Sequence, residues 1–110
     1  MLHDDVVREI QERAAKLGVL SHYCGKALHC KGDRGVPDLL LVGPHKAAFI
    51  EVKTQYANLA PDQTTWMHAL IGAGQLHYVM READLENGRL ASVLETLAYG
   101  QPVLFGGAVA

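Results

Sequence analysis

The amino-acid sequence predicts an α/β domain in which a mixed central β-sheet is flanked by helices. Three patterns support this class: an apolar helical repeat over residues 6–17, two apolar runs on either side of a Gly-Pro turn at residues 43–46, and a helix-like segment from residue 61 that leads into an alternating run. A chain of 110 residues suits one hydrophobic core. We therefore expect a single domain over residues 1–110.

Composition and charge exclude several classes of protein. The chain has no apolar run of about eighteen residues, which a membrane span needs, and no leader of the signal-peptide type. We therefore expect a cytoplasmic protein that does not contact a membrane. The net charge of −2 is unlike that of proteins that coat nucleic acid by bulk electrostatics. A nucleic-acid partner would need a local basic patch or a bound metal.

The central feature of the sequence is a predicted β-hairpin over residues 35–53. If residues 43–46 form its loop, Val42 pairs with Ala47, and counting along the strands places Asp38 opposite Glu51. Two carboxylates at about 5 Å repel each other by roughly 3 kcal/mol at an effective dielectric constant near 20. Lys53 shares the face of Glu51 and offsets part of this repulsion. A divalent cation that bridges both carboxylates would remove the rest.

This trio of Asp38, Glu51 and Lys53 predicts a site for metal-assisted phosphodiester hydrolysis, in which the ammonium group stabilises developing negative charge. The alternative is a surface hairpin with an incidental charge cluster. The neighbouring strand residues favour the site, because they are apolar on both faces, as in the middle of a covered sheet. These neighbours are Leu39, Leu40, Leu41, Val42, Phe49, Ile50 and Val52.

The same residues resemble a known family. The segments Gly35-Val36-Pro37-Asp38 and Glu51-Val52-Lys53 resemble the core motif of the PD-(D/E)XK nuclease superfamily. The wider pattern resembles its virus-type replication-repair nuclease (VRR-NUC) domain, with a match over about residues 20–84. That wider pattern adds Leu59-Ala60-Pro61-Asp62-Gln63, Trp66, Leu70 and Gly74.

The resemblance implies a restriction-endonuclease-like core and a divalent-metal-dependent endonuclease that cleaves DNA, with a preference for branched DNA of the Holliday-junction type. Asp38 and Glu51 would hold Mg²⁺ or Mn²⁺ with the Val52 carbonyl, and Lys53 would orient or activate water. Gln63 would assist at the active site. The resemblance further implies a homodimer and an origin in a phage or in phage-derived bacterial DNA. A phage-encoded protein would act in the host-cell cytoplasm.

Two other functions stay open. A nucleic-acid-binding module could keep the nuclease fold without cutting, although the intact Asp38, Glu51 and Lys53 set argues against it. A metal-dependent hydrolase of another phosphate ester would act on small phosphodiesters and not on DNA. The two are distinguished by the substrates that the protein cleaves.

The N-terminal segment predicts a helix that Asp4 or Asp5 caps and that ends at Gly18. Its apolar face is expected to contain Val6, Ile10, Ala14 and Leu17. In the resembling family, an acidic residue on this helix often helps to hold the metal. The candidates here are His3, Asp4, Asp5 and Glu9, and the pattern does not choose among them. Helix caps and a solvated surface charge are equally good interpretations of the acidic three.

Residues 19–23 predict a first strand, and residues 24–34 predict a loop that carries Lys26, Lys31 and Arg34. We interpret these cations as phosphate contacts, with ordinary solvated loop charges as the alternative.

The remaining segments predict a helix from Pro61 to about residue 73 with Trp66 in the core, and a strand over residues 75–81 that completes a β-α-β unit. A last helix is expected over residues 89–98, with Leu90, Val93, Leu94 and Leu97 on its inner face. The tail from Gly100 is apolar and predicts an edge strand or a contact with a partner subunit.

Overall fold

The computed structural model describes residues 1–25 and 31–103. Within these residues, three helices, four strands and one 3₁₀ turn follow one another. Their order is α1 (His3–Lys16), β1 (Leu20–Tyr23), β2 (Leu39–Val42), β3 (Ala47–Val52), α2 (Pro61–Gly72), β4 (Leu76–Met80), the 3₁₀ turn (Glu82–Leu85) and α3 (Arg89–Tyr99). The described part of the chain contains no helix long and apolar enough to cross a membrane.

The four strands form one mixed sheet in the order β1-β2-β3-β4. β1, β2 and β3 are antiparallel neighbours, whereas β4 runs parallel to β3. The parallel pair needs a crossover connection, and α2 provides it. This arrangement confirms the predicted α/β class and the β-α-β unit. It also confirms the hairpin register, because Val42 pairs with Ala47.

The core lies between the sheet and the helices α1 and α3. α1 buries one apolar stripe, and α3 buries the residues that its helical spacing predicted. Leu41, Ile50 and Met80 from three neighbouring strands have no exposed surface. The predicted core residues that are buried on the helices are Val6, Ile10, Ala14, Leu90, Val93, Leu94 and Leu97. Leu17, the last member of the predicted α1 stripe, packs against the core but is only partly buried.

The predicted capping of α1 is wrong. The residue before the helix is Leu2, whose side chain makes no capping hydrogen bond, and Asp4 and Asp5 lie inside the first turn. There their carboxylates interact favourably with the positive end of the helix dipole. The helix ends as expected, since Gly18 adopts a φ of 72° that favours glycine.

α2 differs from the other helices because none of its residues is buried. Trp66, which we expected in the core, is partly exposed. Its indole N–H donates to the Arg34 carbonyl oxygen at 2.9 Å. The side chain therefore links α2 to the loop before β2. The part of the C-terminal tail after Val103, and with it most of the predicted edge strand, lies outside the described residues.

Candidate active site

Asp38 and Glu51 lie at one end of the β2–β3 hairpin. Leu39 pairs with Ile50, and the next step of the same register brings Asp38 opposite Glu51. The Val52 backbone N–H donates to Asp38 Oδ2 at 3.3 Å, so the Asp38 side chain turns toward β3. The two carboxyl groups are therefore neighbours, as the counting predicted.

The Glu51 carboxyl group is buried without full hydrogen bonding. The residue is 2% exposed. Its Oε2 accepts a hydrogen bond from the Gln63 side-chain amide at 3.3 Å, but its Oε1 is buried and has no partner. Burial, together with the negative charge of Asp38, raises the pKa of Glu51 to about 8. A buried carboxyl oxygen without a partner is costly, and a cation beside it would satisfy it.

Val52 and Lys53 complete the end of β3. The Lys53 N–H continues the sheet pairing by donating to the Met80 carbonyl oxygen at 3.0 Å. The Lys53 ammonium group acts on the pKa of Glu51 in the opposite direction to Asp38 and lowers it. Lys53 thus lies where its charge reaches the Glu51 carboxylate.

Gln63 reaches Glu51 because α2 begins close to the hairpin. Its Oε1 accepts from the Ala60 N–H at 2.8 Å and so closes the first turn of α2, while its Nε2 donates to Glu51. Gly35 allows the close approach. A Cβ atom at Gly35 would lie 2.4 Å from the carbonyl carbon and oxygen of Asp62, and the φ of 93° also favours glycine.

Among the four N-terminal candidates, the structure brings His3 to the site. His3 Nε2 lies 3.2 Å from Asp38 Oδ2 and 3.0 Å from the Val52 carbonyl oxygen. Asp4 instead accepts from the Tyr23 hydroxyl at 2.9 Å. Asp5 pairs with Arg8, and Glu9 pairs with Arg13, so both carboxylates are engaged elsewhere.

The predicted phosphate contacts lie partly within the described chain. Lys31 and Arg34 line a cavity of about 640 Å³ whose wall also includes Asp38 and Asp62. Both cations therefore border the same opening as the candidate site. Lys26, the third predicted contact, lies outside the described residues.

The residues present suit a divalent cation. Across residues 1–25 and 31–103, no cluster of three or more His, Cys, Asp or Glu side chains has metal-binding geometry. A cation here would therefore need a backbone ligand. The Val52 carbonyl oxygen can provide it, because this oxygen and Asp38 Oδ2 both contact His3 Nε2 and so lie close together. Oxygen ligands of this kind suit Mg²⁺ and Mn²⁺.

The mixed sheet with paired carboxylates at one strand end defines a restriction-endonuclease-like fold, and the chain belongs to a nuclease superfamily. Within that superfamily it belongs to the VRR-NUC domain family, whose model matches residues 6–84. This confirms the family that the sequence motifs resembled. No curated protein matches the chain.

Solved structures support the fold. One VRR-NUC domain superposes with a TM-score of 0.65 at 24% identity, over 78% of this chain and 91% of that chain. A second VRR-NUC domain protein gives 0.62 at 18% identity, over 88% of both chains. The Archaeoglobus fulgidus Holliday junction resolvase Hjc gives 0.54 at 20% identity, over 71% of this chain and 66% of that chain.

Proposed function

We propose that this protein is a divalent-metal-dependent endonuclease that hydrolyses DNA phosphodiesters and selects branched substrates such as four-way junctions. The observation that carries the proposal is the buried Glu51 carboxyl group, which faces Asp38 and keeps one oxygen without a partner. A purely structural hairpin has no need for such a costly arrangement. The solved Holliday junction resolvase of similar fold supports the choice of branched DNA.

In this proposal, Asp38, Glu51 and the Val52 carbonyl hold Mg²⁺ or Mn²⁺. When bound, the metal polarises the scissile phosphate and lowers the pKa of water. A water molecule gives up a proton to solvent as its oxygen attacks phosphorus, one phosphorus–oxygen ester bond breaks, and the leaving sugar oxygen takes up a proton from solvent. Lys53 orients the water and stabilises negative charge on the phosphate, since its ammonium group lies within electrostatic reach of Glu51.

Gln63 has a positioning role. Its amide holds Glu51 Oε2, and its own place is set by the hydrogen bond to the Ala60 N–H. The same amide can donate to the water or to a phosphate oxygen when the substrate enters. Gln63 therefore couples the start of α2 to the carboxylate.

Lys31 and Arg34 bind the DNA backbone on the approach to the site. They border the cavity that also contains Asp38, so a phosphate held there would lie beside the carboxylates. Lys26 belongs to the same proposed surface by sequence alone. We place this activity in the cytoplasm, or in the host-cell cytoplasm if a phage encodes the protein.

A homodimer would present two such sites to one branched substrate. α2 supports this proposal, because none of its residues is buried and Ile71 is 54% exposed. We assign a second copy of this chain as the partner that covers the outer face of α2. The two-fold symmetry of a homodimer matches a four-way junction.

The experiment that tests the function is cleavage of a labelled four-way DNA junction, with linear duplex and single-stranded DNA in parallel, in Mg²⁺, in Mn²⁺ and in EDTA. We expect metal-dependent cutting that is strongest on the junction. Asp38→Ala, Glu51→Ala and Lys53→Ala should each abolish cleavage and keep the far-ultraviolet circular dichroism spectrum of the wild type.

Lys46→Ala is the matched control for Lys53→Ala, because Lys46 is an exposed lysine in the loop at the other end of the hairpin. It should cut at the wild-type rate. Retained cleavage in the three site variants would refute the assignment. Binding of the junction without any cutting would favour a non-catalytic module, and hydrolysis of small phosphodiesters alone would favour a different esterase.

A further inference from the structure

We infer that His3 is a metal ligand, and that its imidazole nitrogen makes the site prefer Mn²⁺ over Mg²⁺. The inference rests on the proposed function, because it concerns the same metal site. It adds a ligand that the sequence pattern left undecided among four residues. It also adds a nitrogen donor to a site otherwise built from oxygen atoms.

The distances around His3 are those of neighbouring ligands. In six-coordinate geometry with metal–ligand bonds of about 2.1 Å, adjacent ligand atoms lie about 3.0 Å apart. His3 Nε2 lies 3.0 Å from the Val52 carbonyl oxygen and 3.2 Å from Asp38 Oδ2. One cation can therefore contact all three atoms with small adjustments of the side chains.

The orientation of the imidazole ring supports ligation. A ligating histidine usually donates its other ring N–H to a carboxylate, which fixes the ring. His3 Nδ1 lies 3.5 Å from Asp4 Oδ1, and the Tyr23 hydroxyl donates to that same oxygen at 2.9 Å. In the metal-free protein the Nε2–H of His3 donates to Asp38 Oδ2 and to the Val52 carbonyl oxygen. When the hydrogen moves to Nδ1, His3 presents the Nε2 lone pair to a cation in place of that N–H. Tyr23 and Asp4 thus form the outer support of the proposed ligand.

The chemistry of the donor sets the preference. Mg²⁺ favours oxygen ligands, whereas imidazole binds first-row transition metals more readily, and their affinities at a given site rise from Mn²⁺ onward. Adding an imidazole beside Asp38 and the Val52 carbonyl oxygen therefore favours Mn²⁺. Replacing the imidazole by a carboxylate should return the preference toward Mg²⁺.

The test is pulsed electron paramagnetic resonance of Mn²⁺ bound to the full chain, with affinities for Mn²⁺ and Mg²⁺ from calorimetry. The wild type should show nitrogen modulation from one coordinated imidazole. His3→Gln should lose that modulation and bind Mn²⁺ at least about 10-fold more weakly, with a smaller loss for Mg²⁺. His3→Glu should bind both ions without nitrogen modulation and with a reduced preference for Mn²⁺.

His22→Gln is the matched control, because His22 is an exposed histidine on β1. It should keep both the modulation and the affinity. Asp4→Asn should keep the modulation and weaken Mn²⁺ binding about 10-fold.

Tight Mn²⁺ binding without nitrogen modulation in the wild type, or unchanged affinity in His3→Gln, would show that His3 only fills the cation position in the metal-free protein. That result overturns the inference and leaves the proposed nuclease intact. A wild type that binds neither ion would overturn the metal site itself. Thermal unfolding of each variant shows whether a loss of binding reflects a loss of fold.

Discussion

The Gln63 amide nitrogen lies 3.3 Å from Glu51 Oε2, while Oε1 of the same carboxyl group is buried without a hydrogen-bond partner. α2 therefore satisfies only one of the two carboxyl oxygens of Glu51. This asymmetry makes ionisation of the Glu51 carboxyl group unfavourable in the metal-free protein. Its consequences can be measured without any substrate.

Glu51→Gln should remove a pH dependence of stability in the metal-free protein. Burial raises the pKa of Glu51 from 4.5 to about 8 in the folded state. The folded state therefore binds a proton more tightly than the unfolded state, so the free energy of unfolding falls as pH rises from 4.5 to 8. Urea denaturation in EDTA should show this fall in the wild type and a flatter profile in Glu51→Gln.

Added Mn²⁺ or Mg²⁺ should reverse the trend. The cations bind the ionised carboxylate, so they should stabilise the wild type increasingly up to about pH 8 and stabilise Glu51→Gln little. Parallel pH profiles for the wild type and the variant in EDTA would contradict the assignment of the raised pKa to Glu51.

Gly35→Ala should destabilise the protein and reduce cleavage. The new Cβ would lie 2.4 Å from the Asp62 carbonyl group, and the φ of 93° is unfavourable for alanine. We expect a loss of at least about 1–3 kcal/mol in the free energy of unfolding. Because Asp62 precedes Gln63, the displaced helix start should lower cleavage by up to about 100-fold.

Gly72→Ala is the control for this effect. Gly72 lies at the end of α2, and a Cβ there meets no atom within 4 Å. Alanine at this helical position should stabilise the protein by about 0.5–1 kcal/mol and leave cleavage unchanged. Urea denaturation and junction cleavage measure both variants. Equal free energies of unfolding and equal cleavage rates would show that the close approach of Gly35 to α2 determines neither stability nor activity.

The hairpin was predictable because local rules determine it. The Gly-Pro loop at residues 43–46 sets the pairing, and pairing by counting brings Asp38 to Glu51. α1 and α3 were predictable because each buries one apolar stripe with helical spacing. The crossover followed from a helix between two strands, which a parallel pair requires.

The features that were missed depend on tertiary contacts. Trp66 was expected in the core on hydrophobicity alone, but α2 buries none of its residues and the indole N–H donates to the Arg34 carbonyl oxygen instead. Asp4 was expected as a helix cap, but Leu2 occupies that position and Asp4 bonds to Tyr23 on β1. The place of His3 depends on how α1 packs against the end of β3, which spacing along the chain does not reveal.

Lys31→Ala and Arg34→Ala should each weaken binding of the four-way junction and reduce its dependence on salt. Both side chains border the cavity beside Asp38. If each contacts one phosphate, the slope of log K against log salt concentration should fall in magnitude by about 1 per substitution. Fluorescence anisotropy in EDTA measures binding without cleavage.

Lys16→Ala removes the same charge from the last turn of α1 and serves as the control. It should leave the salt slope unchanged. An equal change in all three variants would indicate that net charge alone controls binding.

Ile71→Lys should convert the proposed homodimer to a monomer. Ile71 is 54% exposed on a helix that buries none of its residues, so a second copy would remove its apolar surface from water. A lysine there would place a charge in that interface and should raise the dimer dissociation constant by at least about 10-fold, which corresponds to about 1.4 kcal/mol. Size-exclusion chromatography with light scattering over a range of concentrations gives the mass.

Leu20→Lys is the matched control, because Leu20 is 73% exposed on β1, at the opposite edge of the sheet. It should remain dimeric. A monomeric wild type would refute the proposed homodimer. Dissociation by Leu20→Lys alone would show that the interface lies at the β1 edge of the sheet.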